Sequence, residues 1–365
     1  MKTVYVGLSG GVDSSVSALL LLEQGYEVVG VYMKNWSKDL PGMPCPWKED
    51  YQDAKRAAVQ LGIDFKMYDF ERQYHQKVVD YMLDGFKAGI TPNPDIMCNQ
   101  EIKFKLFLDT ALEDGADMIA TGHYARVGNS NQEIVNSKLI SNSSLPIARL
   151  LQAKDDNKDQ TYFLYRVTHD ALSKTLFPLG NLTKPEVRAL AKQKGLITAD
   201  KKESMGICFV GKVGIKDFLS QYVDQQPGKI IDQNGVEIGE HDGAIFYTIG
   251  QRQGLDVGGG MPYYVAGKDM KKNEVYVTTD LQDDRLWSNH INLTSVHWIN
   301  EPPNEGQELS VRTRHRAKLI PVKKLNKLSN NNWTAELSED VRALTPGQSA
   351  VFYSADECLG GGIVV

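Results

Sequence analysis

Apolar runs and polar-faced stretches alternate along the first two hundred residues. Val4–Leu8, Val28–Met33 and Phe65–Phe70 are short apolar runs of strand length. Between them, Ser14–Gln24 and Glu49–Leu61 read as helices, each stopped by a glycine, Gly25 and Gly62. Arg72–Lys87 and Ile102–Glu113 read as helices of mixed polarity, and Asp117–Ala125 as a strand with a polar end. Thr183-Lys-Pro-Glu186 opens a further helix as a capping box with proline in its first turn, and Gly195 ends it. This βαβα order predicts a parallel sheet wrapped by helices on both faces.

Near residue 205 the pattern changes to glycines and short alternating strands. Lys229–Asp232 and Val236–Gly239 flank Asn234-Gly235, a strong hairpin signal. Tyr263–Gly267 and Glu274–Thr278 flank the polar Lys271–Asn273 and read as a second hairpin. At least five strand-like runs follow between Asn289 and Val365. The expected fold class is α/β. A Rossmann-like parallel-sheet domain covers 1–205, a small mixed domain 206–280 and a β-barrel 281–365. Asn129–Ser144, rich in Asn and Ser, reads as a loop.

With 365 residues, 41% apolar and 24% charged, the chain can bury real cores. Four cysteines, Cys45, Cys98, Cys208 and Cys358, form no CxxC pair, which excludes a zinc ribbon and a disulfide scaffold. The glycines of GLSGGVDSS break the N-terminal apolar run, so no signal peptide or membrane span is expected there. A soluble cytoplasmic protein without membrane attachment is the expectation.

The net charge of −5 excludes a polycation and by itself argues against a nucleic-acid partner. Residues 310–327 change that picture. They hold seven cations and no acid, while the rest of the chain holds 34 basic against 46 acidic residues. Arg312, Arg314, Arg316 and Lys318 recur at every second position, which on a strand places four cations on one face. Such a face can protect a solvated sheet edge. Seven like charges favour contact with an RNA phosphate backbone.

The sharpest local feature is SGGVDSS, Ser9–Ser15, between a buried strand and a helix. Gly10 and Gly11 remove side chains where a phosphate must approach the backbone. Three serines supply hydroxyls, and the helix N-terminus supplies N–H groups and positive dipole. An ordinary serine-capped turn is the plainer reading, but it leaves the extra serines and the aspartate without a purpose. No lysine follows, so this is not a Walker A loop. It resembles the PP-loop of the ATP pyrophosphatases, which cleave ATP to AMP and pyrophosphate and adenylate a substrate oxygen. In that resemblance Asp13 suits a magnesium ion beside the pyrophosphate.

Two cysteines have suggestive surroundings. Cys98 lies in the proline-stiffened Thr91-Pro-Asn-Pro-Asp-Ile-Met-Cys-Asn99, with Asp95 one helical turn before it and Lys103 and Lys105 after it. Cys208 lies in Ser204–Gly211, SMGICFVG. Taken singly, each reads as well as core filler. An adenylating loop combined with two reactive thiols fits sulfur transfer, in which a persulfide displaces the activated oxygen and a second thiol resolves it. That chemistry requires Cys98 and Cys208 to meet within a few ångström.

SGGVDSS, NPDIMCN, TGHYAR, DNKDQTYFL and SMGICF, in this order, resemble the tRNA-specific 2-thiouridylase (MnmA/TrmU) family along essentially the whole chain. The resemblance implies ATP-dependent thiolation of C2 of the wobble uridine, position 34, in tRNAs for lysine, glutamate and glutamine. A sulfur-carrier protein delivers the persulfide. By the same resemblance, Gly7, Leu8, Ser9, Gly10, Gly11, Val12, Asp13 and Ser14 hold ATP, Met33 contacts adenine and Gly122 borders the nucleotide. Asn93, Pro94 and Asp95 meet the target base, with Asp95 as acid or base. Cys98 is the nucleophile and Cys208 the persulfide carrier. His123, Lys158, Asp159, Gln160, Arg314, His315 and Gln348 contact tRNA, and Cys45 and Cys358 match no role. The competing readings are a small-molecule adenylating synthetase of the same class, for which no glutaminase-sized domain is evident, and a non-enzymatic RNA-binding protein, which intact SGGVDSS and cysteines oppose.

Overall fold

The computed structural model describes residues 1–39, 45–130, 147–202, 214–255, 257–258, 260–329 and 331–365. Chain order begins β1 (Thr3–Gly7), α1 (Val12–Glu23), β2 (Glu27–Lys34), α2 (Trp47–Leu61) and β3 (Asp64–Asp69). A long helical stretch runs from α3 (Glu71–Tyr74) through a π-helical His75–Val79 into α4 (Asp80–Lys87). A second runs from α5 (Pro94–Met97) through a π-helical Cys98–Leu106 into α6 (Phe107–Glu113). Next come β4 (Met118–Ala120), β5 (Arg126–Ser130), β6 (Ile147–Leu151), α7 (Thr161–Leu164), α8 (His169–Ser173), β7 (Thr175–Leu176) and α9 (Lys184–Gln193).

β3-β2-β1-β4-β7 form a parallel sheet. Its inner strands β1, β2 and β4 are apolar runs because helices cover both faces, while the edge strand β3 alternates with charged residues and is partly exposed. The capping box at Thr183 is present in full: the Thr183 hydroxyl accepts from Glu186 N, and the Glu186 carboxylate accepts from Thr183 N. The strand expected over Asp117–Ala125 is only three residues long, because Thr121–His123 leave the sheet to cover the first turn of α1.

A short helix α10 (Ile215–Leu219) leads into β8 (Gly228–Ile231), β9 (Glu237–His241), β10 (Tyr264–Asp269) and β11 (Glu274–Thr278), a four-stranded mixed sheet in the order β10-β11-β8-β9. β12 (Trp287–Trp298), β13 (Ser310–Arg312), β14 (Ile320–Ser329), β15 (Asn332–Arg342), β16 (Ser349–Ser354) and β17 (Glu357–Val364) follow. They are antiparallel and close into a barrel through the β12–β17 pairing. Its interior is apolar, with Ile291, Leu293, Val311, Leu337 and Phe352 all buried. The hairpin β5–β6 of the N-terminal lobe pairs with β17 and extends the barrel sheet. Its connection falls in 131–146, so the loop expected over Asn129–Ser144 lies mostly outside the described residues. Among the described residues no helix is long and apolar enough to cross a membrane.

The alternating basic strand does not form. Only Ser310–Arg312 is extended, and the chain then turns, with Arg316 at φ +62°. Arg312 points inward instead, because a buried carboxylate needs it. Its Nη1 donates to Asp159 Oδ2 at 3.1 Å, with side-chain exposures of 11% and 1%. The remaining cations, Arg314, Arg316, Lys318, Lys323, Lys324 and Lys327, are exposed, and β15 supplies acids to two of them, Lys318–Glu339 at 2.7 Å and Lys323–Glu336 at 3.7 Å.

Removing one member of a buried pair leaves an uncompensated charge, at a cost of about 3 kcal/mol or more. Arg312→Ala is therefore expected to lower stability by about that amount in denaturant unfolding, while Arg316→Ala stays within about 0.5 kcal/mol. Equal stability of the two variants would contradict the inward role of Arg312.

Candidate active site

The phosphate loop forms where one strand ends and a helix begins. Leu8 turns its side chain into the core and donates its N–H to Val31 O at 2.8 Å. Gly10 sits at φ +77°, and a Cβ there would lie 2.5 Å from the Asp50 carbonyl oxygen, so the turn tolerates only glycine against α2. The serines brace the loop: Ser14 Oγ accepts from Ser9 N (3.2 Å) and donates to Gly11 O (3.1 Å), and Ser15 Oγ donates to Gly11 O (3.0 Å). No side chain caps α1, whose first N–H groups therefore face the turn as an anion site.

Other expected nucleotide contacts converge on this turn. A Cβ on Gly7 would meet Met33 Cε at 3.0 Å, so the methionine lies across the end of β1. A Cβ on Gly122 would lie 2.9 Å from Ser14 N, so the loop after β4 rests directly on the first turn of α1. Val12 is buried beneath it. The cluster sits at the carboxyl ends of β1, β2 and β4, the usual ligand crevice of an open parallel sheet.

Asp13 is held from two sides. Lys184 Nζ donates to Oδ1 at 2.6 Å and Oδ2 at 2.7 Å, and the Tyr124 hydroxyl donates to Oδ1 at 3.0 Å. Lys184 is buried at the first position of α9. The residues present do not fit a resident magnesium ion here: a dication on Asp13 would face a buried ammonium on both oxygens. Among the described residues no group of three or more His, Cys, Asp or Glu is arranged for a metal. The sequence reading missed Lys184, although a lysine opening a helix opposes its dipole and needs an anion nearby. A second lysine, Lys201, joins Asp50 (2.8 Å) and Asp53 (2.6 Å) on the α2 face that abuts Gly10.

The Asn93–Cys98 segment is helical, as the Asp95 spacing requires. Asn93 Oδ1 caps α5, accepting from Asp95 N (3.2 Å) and Ile96 N (3.3 Å), with Pro94 in the first turn. Cys98 opens the π-helical stretch, a geometry often found at functional sites, and is 1% exposed. Cys208 and its motif lie outside the described residues, and so does its approach to Cys98. Cys45 and Cys358 have thiols pushed up chiefly by burial, which keeps them protonated.

The residues expected on tRNA separate into two groups. His123 is buried among Phe104 and Phe177, with Nδ1 2.8 Å from Thr121 Oγ1 and Nε2 3.5 Å from Lys103 Nζ. Burial first and Lys103 second hold its pKa well below the usual 6.5, so it is a neutral ring within the protein. Asp159 is buried on Arg312, and Gln160 Oε1 accepts from Tyr124 N at 2.9 Å. Gln348 Nε2 donates to Thr91 O at 2.7 Å. His315 packs on Phe163, 4.6 Å between ring centres, and burial, then Arg316, pushes its pKa down to about 4. Lys158 is half-buried and Arg314 exposed, although the Arg314 guanidinium donates to Ala343 O at 2.7 Å.

Three family models cover nearly the whole chain. Residues 2–212 match a tRNA methyl transferase HUP domain, 216–279 a tRNA methyl transferase PRC-barrel domain and 288–364 an aminomethyltransferase beta-barrel domain. The chain is 47% identical to the tRNA-specific 2-thiouridylase MnmA of Bacillus subtilis, over 99% of this chain and 94% of that one. It is 48% identical to the protein of that name from Bacillus velezensis, over 99% and 94%, and 47% identical to that from Idiomarina loihiensis, over 100% and 96%.

Lys184→Met leaves Asp13 without its counter-charge at the mouth of the loop. Binding of a non-hydrolysable ATP analogue is expected to weaken about ten-fold, about 1.4 kcal/mol. Lys184→Arg should keep most of the affinity, and tRNA affinity should not change in either. Unaltered nucleotide affinity in the methionine variant would show the pair to be structural only.

Proposed function

Because the chain belongs to the tRNA-specific 2-thiouridylase family, we infer that it is an ATP-dependent tRNA sulfurtransferase that forms 2-thiouridine. The observation that carries this reading is 47–48% identity along nearly the whole length to proteins of that name, with the phosphate loop intact. The family models are described by methyl transfer. Alkylation from a methyl donor needs no ATP-cleaving loop, so the intact SGGVDSS supports thiolation.

Uridine O2 attacks the ATP α-phosphorus and pyrophosphate leaves. The α1 N-terminus and the Gly10–Gly11 backbone hold the phosphates, and Met33 and Gly122 border the nucleotide. The terminal sulfur of a persulfide on Cys208 then bonds to C2 and AMP leaves. Thiolate attack by Cys98 on the Cys208 sulfur breaks the S–S bond, frees 2-thiouridine and leaves a Cys98–Cys208 disulfide for an external dithiol to reduce. In this reading Asp95, one turn before Cys98, takes the thiol proton. The wobble uridine at position 34 of lysine, glutamate and glutamine tRNAs is the substrate in this reading, and a sulfur-carrier protein supplies the persulfide. Magnesium enters with ATP, and no step is assigned to it. The exposed cations of 314–327 give the tRNA backbone its contact; they position the RNA without reading its sequence.

Incubation with unmodified tRNA, ATP, magnesium and a persulfide donor is expected to give thiolated tRNA, retarded on an organomercury gel. Cys208→Ser should abolish the band and leave tRNA binding intact. AMP formation should require tRNA; AMP formed without tRNA on a small-molecule acceptor would support a synthetase instead.

A further inference from the structure

Three lobes meet at one residue that the chemistry leaves unused. Thr91 N donates to Pro346 O of the barrel at 2.8 Å, and Gln348 Nε2 of the barrel donates back to Thr91 O at 2.7 Å. The Thr91 hydroxyl lies 3.1 Å from the Thr248 hydroxyl of the central lobe. Between Pro346 and Gln348, Gly347 sits at φ +91°, and a Cβ there would fall 2.8–2.9 Å from Thr91 N, C and O. The barrel turn thus touches the Thr91 backbone directly, and only glycine fits between them. Thr248 is itself held, its N–H donating to Gln251 Oε1 at 3.0 Å. Arg314 ties the two clamping lobes together, donating to Ala343 O (2.7 Å) and to Ile249 O at the 3.5 Å limit.

What lies beyond Thr91 gives the clamp its meaning. Pro92 and Pro94 fix two of the next three φ angles, and Pro92 packs on Gly85 of α4, where a Cβ would lie 2.8 Å from its ring. The strut has little slack to absorb a shift of Thr91. At its end Asn93 caps the turn that carries Asp95 and leads to Cys98.

We propose that Thr91 is a positioning residue for thiolation. The barrel turn Thr345–Gln348 and central-lobe Thr248 clamp it, and the Pro92–Pro94 strut passes that placement to Asp95 and Cys98. The clamp makes catalysis depend on the barrel beyond RNA affinity: RNA docked on the barrel cations is registered against the same turn that sets the reacting groups. The inference rests on the sulfur-transfer reading of Asp95 and Cys98.

The test uses the full chain under single-turnover thiolation, with KM for ATP, Kd for tRNA at fixed salt, and melting temperature measured alongside. Gly347→Ala is expected to lower the thiolation rate about ten-fold or more, since displacement of reacting groups by about 1 Å can cost a hundred-fold. ATP KM and tRNA Kd should stay within about two-fold of wild type. Gly306→Ala is the matched control: it carries the same backbone strain at φ +80° in an exposed barrel turn, with nothing within 4 Å, and its rate should be unchanged. Thr248→Val should slow thiolation several-fold and Thr248→Ser restore it; this pair decides the matter if Gly347→Ala does not fold. An unchanged rate in both Gly347→Ala and Thr248→Val overturns the proposal, and so does a loss that appears wholly as weaker tRNA binding. Absence of thiolated product from wild type would instead overturn the function itself.

Discussion

A carboxylate that is 1% exposed must be surrounded by donors, and Asp159 organises the molecule by that requirement. Its oxygens accept from Arg312 of the barrel (3.1 Å), Ala153 N (3.1 Å) and Thr161 Oγ1 (2.8 Å). Fixing Asp159 fixes Gln160, which exchanges hydrogen bonds with the Tyr124 backbone in both directions at 2.9 Å. Tyr124 in turn donates to Asp13. A barrel arginine and the phosphate loop are therefore linked by a short chain of polar contacts. Burial makes each link costly to leave unsatisfied, which is why the lobes hold a defined relation to one another.

Local chemistry was legible in the sequence and long-range demand was not. The phosphate loop, its flanking strand and helix, and the Thr183 capping box are specified by residues within a few positions of each other, and each forms where its pattern places it. The alternation of Arg312, Arg314, Arg316 and Lys318 is equally local, yet it misled. A period of two describes a strand only while the chain stays extended, and Arg312 is claimed by a carboxylate more than 150 positions earlier. Its inward turn leaves a shorter, partly neutralised basic surface.

The candidate site shows the same division. Gly10 and Ser14 were recognisable because turn chemistry limits what can stand there, whereas Asn93, expected by resemblance at the target base, caps α5. Lys184 was not recognisable, since a lysine becomes part of the loop only once α9 packs on α1. Asp159 and Gln160 stand in a motif that resemblance assigns to RNA, while their side chains are engaged within the protein. Motif membership did not separate surface groups from the scaffold beneath them.

The β5–β6 hairpin has a consequence for how the chain acquires its structure. Leu151 of β6 pairs with Glu357 of β17, so a strand edge made early waits for a partner synthesised more than two hundred residues later. Sequential lobe-by-lobe folding cannot finish the N-terminal lobe under these conditions. Contacts of such separation are slow to form, and an open edge in the interval invites pairing with other chains. The same pairing makes completion of the barrel report on the N-terminal lobe: β17 closes the ring against β12 and meets the hairpin through β6. A ribosome-bound intermediate lacking β17 would thus leave the β6 edge open to chaperones.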